Sequence, residues 1–372
     1  MRKIFIIIAC CIALVGCKSS NERFLTSATG TIYECLVVMP NRPLSSEALE
    51  TIANTSIAKE TGSAYQEPIS TTYDLVKHTL GADMYGLPQM EPYMVLTQVS
   101  QRHFDDYLKP TRNILIIDIN KEKYTQVKVH CGHDQWSHPQ AIYRIQAPDE
   151  ESWVAFWLAH GEQVREWFIR EEMNRQIYFY RASTNKTARA AMQKKGFDML
   201  IPEDYIMIMD TLLSEEDIEV TWCCNNKGPM RRDVVIYSYP YTSQNQFNND
   251  SICLMRDKVL GRLISAQVEG SHMGTEYNIF PPISRHVHAL QADSSIQNDT
   301  LPPAFYAIET RGLWRIIDGE AMGGPFVSLT RLDMVRGRVV TAEAFLYASG
   351  QKKRNALRQT EAILYTMTLG GE

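Results

Sequence analysis

The chain is 372 residues long and 44% hydrophobic, with 38 Lys and Arg against 43 Asp and Glu, for a formal net charge of −5. That apolar content is enough to build a core and excludes a disordered chain. The modest acidic balance, with no basic run long enough to neutralise many phosphates, excludes nucleic acid as a partner.

In chain order, Met1-Arg2-Lys3 forms a short cationic head and Ile4 to Val15 an apolar run. A bilayer span needs roughly 20 apolar residues. This run is too short for one and reads as a secretory signal over residues 1–16. Leu14-Val15-Gly16-Cys17 resembles the lipobox of bacterial lipoproteins. The resemblance implies that Cys17 becomes the first residue after cleavage and carries palmitate-type acyl chains. Residues 17–30, with the polar stretch SSNERFLTSATG from Ser19, then make a tether. No later segment is both long and apolar enough to span a membrane, so the remaining chain is expected to be held at the surface by several acyl chains, which anchor far more firmly than one.

From Glu91 the pattern predicts a strand in EPYMVLTQVS, a short helix in QRHFDDYLKP, strands in RNILIIDI, YTQVKVHC and QAIYRIQA, and a long amphipathic helix in ESWVAFWLAHGEQVREWFI. Within that helix Trp153, Phe156, Trp157, Val164, Trp167 and Phe168 recur at helical spacing, as a core-facing stripe does. A polar stretch, Arg181 to Gly196, precedes the strand-like FDMLIPEDYIMIMD, whose Met199, Met207 and Met209 read as part of an apolar strand and not as a copper-binding box. From Asp233 the order recurs: DVVIYSYPY, a helix around SICLMRDKVLGRLI, strands in FYAIETRGLWRII, PFVSLTRLD and RVVTAEAFLYA, and a final helix in KKRNALRQTEAILYTM. The third elements share letters, TRNILIID (Thr111 to Asp118) against TRGLWRIID (Thr310 to Asp318). The expected class is therefore α+β, with an internal repeat: two related β-α-β-β-β-α-like halves, residues 31–180 and 181–372, in which antiparallel sheets pack against helices.

Gly319, Gly323, Gly324 and Pro325 punctuate the C-terminal half. A phosphate-binding loop needs its glycines directly before a helix, whose N–H groups then meet the anion. Here they precede the β-branched, strand-like PFVSLTRLD, so they are expected to turn a hairpin, and no phosphate-binding residue is assigned. Gly337 reads as the next hairpin turn.

Removal of the signal and use of Cys17 leave Cys35, Cys131, Cys223, Cys224 and Cys253, an odd and scattered set that is no disulfide framework. His130, Cys131, His133 and His138 fall within nine residues and form the candidate metal group, since imidazole and thiolate both bind zinc or copper. A tetrahedral site usually draws on more than one segment, and no cofactor is assigned. Ser271 in GSHMG is misplaced for a nucleophile elbow. Adjacent Glu203 and Asp204 diverge if they lie on a strand, so enzyme readings lack a motif. Lys352, Lys353 and Arg354 open the last helix, where the helix dipole disfavours cations by up to about 1 kcal/mol. Either an acidic side chain such as Glu343 answers them, or they face lipid head groups or an acidic partner. Thr300, Ser251 and Thr211 stand in Asp-Ser/Thr-apolar triplets that resemble the O-glycosylation acceptor of exported Bacteroidetes proteins. Of these, Thr300 lies in a polar, Pro-bounded loop.

The lipobox together with LPQMEPYM, TRNILIID, MLIPEDY, RGLW, MGGPFVS and KKRNALRQTEAILYT resembles an uncharacterised family of Bacteroidetes lipoproteins catalogued as a domain of unknown function. The resemblance covers essentially the whole mature chain, implies envelope location, and carries over no catalytic residue. TWCC (Thr221 to Cys224) and the histidine group depart from its pattern. The expectation is a lipid-anchored envelope protein, at the outer membrane facing the periplasm, with a noncatalytic binding or assembly role and an envelope protein as partner. The competing class is a hydrolase of an envelope polymer or lipid, with its site between the halves.

Overall fold

A computed structural model describes residues 25–55, 68–288 and 306–370. Cys17, the signal peptide, most of the tether and Thr300 lie outside the described residues. The first part carries β1 (Thr26–Ser27), β2 (Glu34–Val38), α1 (Ser46–Ala53), α2 (Thr72–Leu80), β3 (Val95–Val99), β4 (Asn113–Ile119), β5 (Lys128–His133), β6 (Ser137–His138), β7 (Ala141–Ala147) and α3 (Glu150–Ala182). The second carries α4 (Lys186–Lys194), β8 (Phe197–Asp198), β9 (Ile206–Leu213), β10 (Ile218–Asn225), β11 (Arg231–Pro240), α5 (Asn249–Leu263), β12 (His272–Glu276), β13 (Ile283–His288), β14 (Tyr306–Ile317), β15 (Gly323–Asp333), β16 (Arg338–Tyr347), α6 (Arg354–Leu364) and β17 (Thr368–Leu369). The class is α+β.

The first sheet has the order β3-β2-β4-β7-β5. Its first four strands are parallel, and β5 alone runs antiparallel, against β7. Parallel neighbours need long crossovers, which α1 and α2 supply between β2 and β3. Both faces are covered, as such a sheet requires. On one, Val37, Leu115, Ile117 and Ile145 meet Leu75, Trp153, Trp157 and Phe168 of the helices. On the other, Leu36, Ile114, Ile116 and Ile142 meet Phe104, Leu108 and Trp136. QRHFDDYLKP supplies that second cover as a single 3-10 turn, Gln101–His103, followed by further turns, and not as the helix its spacing predicts. Phe104 and Leu108 reach the sheet without needing one.

The second sheet runs β12-β14-β15-β16-β11-β10-β9, with β13 also on β14, and every pairing is antiparallel. One face carries α6 and the C-terminal part of α3, the other α5. A hairpin does join β14 to β15, but only Gly319 lies in its turn; Gly323 and Gly324 already belong to β15, opposite Arg315 and Trp314. Gly324 is obligatory, since a Cβ there would lie 2.0 Å from the Leu346 carbonyl oxygen. Gly337, at φ 62°, turns β15 into β16.

Helix α3 joins the two parts. Asp149 caps it by accepting from the Ser152 N–H at 2.8 Å, and Glu150 and Glu151 suit the positive end of the dipole. Its aromatic stripe packs on the first sheet as expected, with Trp153, Trp157 and Phe168 buried, while Ile169, Met173 and Ile177 enter the core of the second. The helix continues past the predicted stretch to Ala182, with Glu171 and Glu172 buried beside His133, Arg112 and Arg175.

The expectation of two related halves, each with an antiparallel sheet, is corrected by the first sheet. TRNILIID forms β4, between parallel neighbours β2 and β7. TRGLWRIID forms β14, among the antiparallel β12, β13 and β15. The shared letters therefore mark buried strands in unlike sheets.

Candidate functional site

The histidine group is not assembled. Strand alternation sends His130 and the exposed Cys131 to opposite faces of β5. His133 Nε2 faces Glu171 Oε2 at 3.0 Å, and His138 Nδ1 faces Asp134 Oδ2 at 2.8 Å across a tight turn. Among the described residues no group of three or more His, Cys, Asp or Glu side chains is placed to hold a metal, and no disulfide forms. Ser251 lies in the first turn of α5, where its N–H is taken by the Asn248 cap, and Thr211 is half-buried within β9. Glu203 accepts from Ser183 at 2.8 Å while Asp204 turns to Asn225, so the two carboxylates diverge.

The cationic opening of α6 is corrected too. Lys353 and Arg354 are buried, and only Lys352 is exposed. Glu91, and not Glu343, answers them: its carboxylate accepts the backbone N–H of Lys353 at 2.6 Å and of Arg354 at 3.1 Å. Burial lowers the Lys353 ammonium and the Arg354 guanidinium below their ordinary ranges. A helix end that looks electrostatically wrong is thus capped from the first sheet's side of the molecule.

Two buried polar networks fill the second part. Against α6, Glu309 accepts from Arg285 at 2.8 Å, Arg311 at 2.7 Å and Tyr365 at 2.6 Å, and Glu361 takes Arg311 and Arg358. Burial alone would raise the Glu309 carboxyl, but Arg311 and Arg285 outweigh it and hold it well below the usual carboxylate range. Arg165 of α3 and Arg358 of α6 lie over the Tyr93 ring, at 4.3 and 5.6 Å from its centroid. The contact between the two parts is therefore occupied by packed arginines, glutamates and tyrosines.

On the opposite face, beneath α5, register aligns Ser284, Thr310, Ser328 and Glu343 across four strands. Ser284 Oγ bonds both Thr310 and Asn249 at 2.7 Å. Arg256 reaches Glu343 Oε1 through Nε at 3.0 Å and through Nη2 at 2.9 Å, and stacks 4.1 Å from the Phe326 centroid. Glu343 Oε2 and Ser328 Oγ are buried without a hydrogen-bond partner among the described residues. Burial pushes the Glu343 carboxyl up to about 7 against the pull of Arg256.

The surface feature with the chemistry of a docking site is β9. It ends the second sheet, paired with β10 on one side and, among the described residues, with no strand on the other. Natural edges are usually blunted by Lys, Pro or short length. β9 has eight residues, IMIMDTLL, with neither Lys nor Pro, and leaves Ile206, Ile208 and Leu212 52, 43 and 54% exposed. One bulge interrupts it, where the register steps from Trp222–Met209 to Cys223–Met207 and leaves Ile208 unopposed. Helix α4 lies alongside in the same direction, tied by Asn185 to the Tyr205 carbonyl at 2.7 Å and by Lys195 to Asp210 at 2.5 Å. Between them runs a shallow groove of about 430 Å³, lined by Lys186, Ala190, Ala191 and Lys194 of α4 and by Met207 and Asp210 of β9. The sequence reading recognised an apolar strand here but not that it ends a sheet. The near absence of charge in IMIMDTLL was the available signal.

No curated protein matches the chain. Residues 70–181 match a family model described as a domain of unknown function (DUF8532). Residues 183–366 match a second, also described as a domain of unknown function (DUF4837), and the two matched stretches adjoin at the C-terminal end of α3.

Proposed function

We propose that this is a membrane-anchored envelope lipoprotein of the Bacteroidetes type, held through acylated Cys17 at the outer membrane and facing the periplasm, with a noncatalytic binding or assembly role. The open, apolar edge of β9 carries the binding part of this reading, because unpaired strand N–H and C=O groups flanked by exposed Ile and Leu are what a partner strand adds to. The lipobox at Leu14 to Cys17 carries the anchoring part. Among the described residues no helix is long and apolar enough to cross a membrane, and the proposed attachment is through the acyl chains. The test places a photo-crosslinking residue at Leu212 in the lipidated protein in intact cells, beside a Cys17→Ala control. A recurrent envelope protein trapped from Leu212, and lost in the control, is expected. Absence of any specific adduct refutes the binding role, and retention of the Cys17→Ala protein in membranes refutes the anchor.

A hydrolase remains the second reading, for which the specific observation is Glu343, near neutrality, beside the Ser328 hydroxyl. Both are buried under α5, within the second part and not between the halves as that reading expects. Turnover of an envelope ester or glycan that disappears in Ser328→Ala would favour it.

A further inference from the structure

We propose that the groove between α4 and β9 takes an extended acidic segment of a protein partner, with two carboxylates four residues apart and an apolar residue midway between them. This rests on β9 being the docking edge and names what docks there.

The argument is one of charge and spacing. Of the cations around α4, Arg189 is held by Asp198 at 2.5 Å and Lys195 by Asp210 at 2.5 Å. Lys186 and Lys194 are exposed, line the groove, and form no ion pair among the described residues. Asp210 is bonded by Lys195 and also lies within electrostatic reach of Lys194, so the groove sets three ammonium groups against one carboxylate and keeps a net positive charge. Lys186 and Lys194 stand eight residues apart on the helix, about 12 Å at 1.5 Å per residue. A strand laid along β9 repeats its facing side chains every second residue, and positions four apart are separated by about 13 Å. Two carboxylates at that spacing meet Lys186 and Lys194 together, on the same face.

The floor between the two lysines is apolar and low. Ala190 and Ala191 project little, and Met207 lies opposite them. A partner's residue midway between the carboxylates therefore lands on methyl and thioether surface and is best apolar. The bulge at Ile208 lies within the groove stretch, so the two carboxylates are placed there by the lysines of α4, and regular strand pairing is open just beyond it, at Met209–Leu213. A second copy of the chain fits less well, since β9 has one acidic residue, Asp210, to offer.

The probe is a labelled heptapeptide, Thr-Asp-Thr-Val-Thr-Asp-Thr, followed by fluorescence anisotropy against the otherwise full chain carrying Cys17→Ala. Lys186→Glu with Lys194→Glu is expected to weaken binding by about tenfold or more, as reversal of two exposed pairs does. A peptide with Lys in place of both Asp is expected to restore it. Both lysines are exposed, so circular dichroism of the double variant should match the parent. Equal binding of an Asn-substituted peptide, insensitivity to the charge reversal, or no binding at low salt each overturns the proposal. If the peptide fails while the Leu212 crosslinker still traps a partner, the acidic spacing falls and the docking edge stands; if both fail, both fall. Self-association in sedimentation that Leu212→Lys abolishes would assign the edge to a second copy and overturn the proposal as well.

Discussion

Glu343→Gln offers a test of the buried network whose sign runs against intuition. In the folded chain Glu343 is faced by Arg256 and Asp257 of α5 and flanked across the sheet by Ser328, and burial sets its carboxyl at about 7 where the ordinary value is 4.5. The unfolded chain therefore loses this proton near 4.5 and the folded chain near 7. As pH rises through that interval the folded state binds more protons than the unfolded one, so stability falls. At about 1.4 kcal/mol for each tenfold difference in proton affinity, the full fall is about 3 kcal/mol. Glutamine mimics the protonated acid and does not ionise. The variant is expected to match the parent near pH 4.5 and to be more stable by up to about 3 kcal/mol at pH 8, with Arg256 keeping Asp257 as its counter-ion at 3.2 Å. Urea unfolding of the Cys17→Ala chain at a series of pH values measures this. A variant less stable than its parent at pH 8 would refute the reasoning, since it would show that the ionised pair with Arg256 outweighs its desolvation.

Glu91→Ala removes the carboxylate that accepts the Lys353 and Arg354 N–H groups. Loss of such a cap is expected to lower stability by about 1–2 kcal/mol, more if the buried cations are left unanswered, and Glu91→Gln should recover part of it in the same unfolding assay. Gly324→Ala sets a Cβ against the Leu346 carbonyl oxygen, where the start of β15 meets the end of β16. Overpacking of a sheet interior by one methyl is expected to cost about 1–3 kcal/mol, read as a lower midpoint with an unchanged denaturant slope. An unaltered midpoint would mean that the two strands separate there at no expense.

The long apolar and amphipathic runs were legible because each follows a single period. RNILIIDI, DVVIYSYPY and RVVTAEAFLYA form strands, and the tryptophan stripe of α3 faces the core as spaced. What period does not encode is strand direction. Nothing local in RNILIIDI distinguishes β4, among parallel neighbours, from an antiparallel strand like β14; the difference arises from β2 and its crossover through α1 and α2. β2 is only five residues, ECLVV, too short to show a period, and so the parallel character of the first sheet was hidden with it.

The candidate site was less legible still, for a reason that the charged residues make plain. Lys353, Arg354, Glu171 and Glu172 carry charge, yet each is buried beside a partner far away in sequence: Glu91 for the first two, His133 and Arg112 for the others. Conversely Ile206, Ile208 and Leu212 are apolar and are exposed. Local pattern assigns polarity to inside and outside on the premise that unlike groups sort apart. That premise fails where a charge finds its complement within the fold, and where an apolar strand still lacks a neighbour. The first failure consumes the cationic patch at the start of α6. The second leaves β9 with unpaired backbone groups and Lys186 and Lys194 beside it, and such an edge is stabilised by adding a strand of complementary charge.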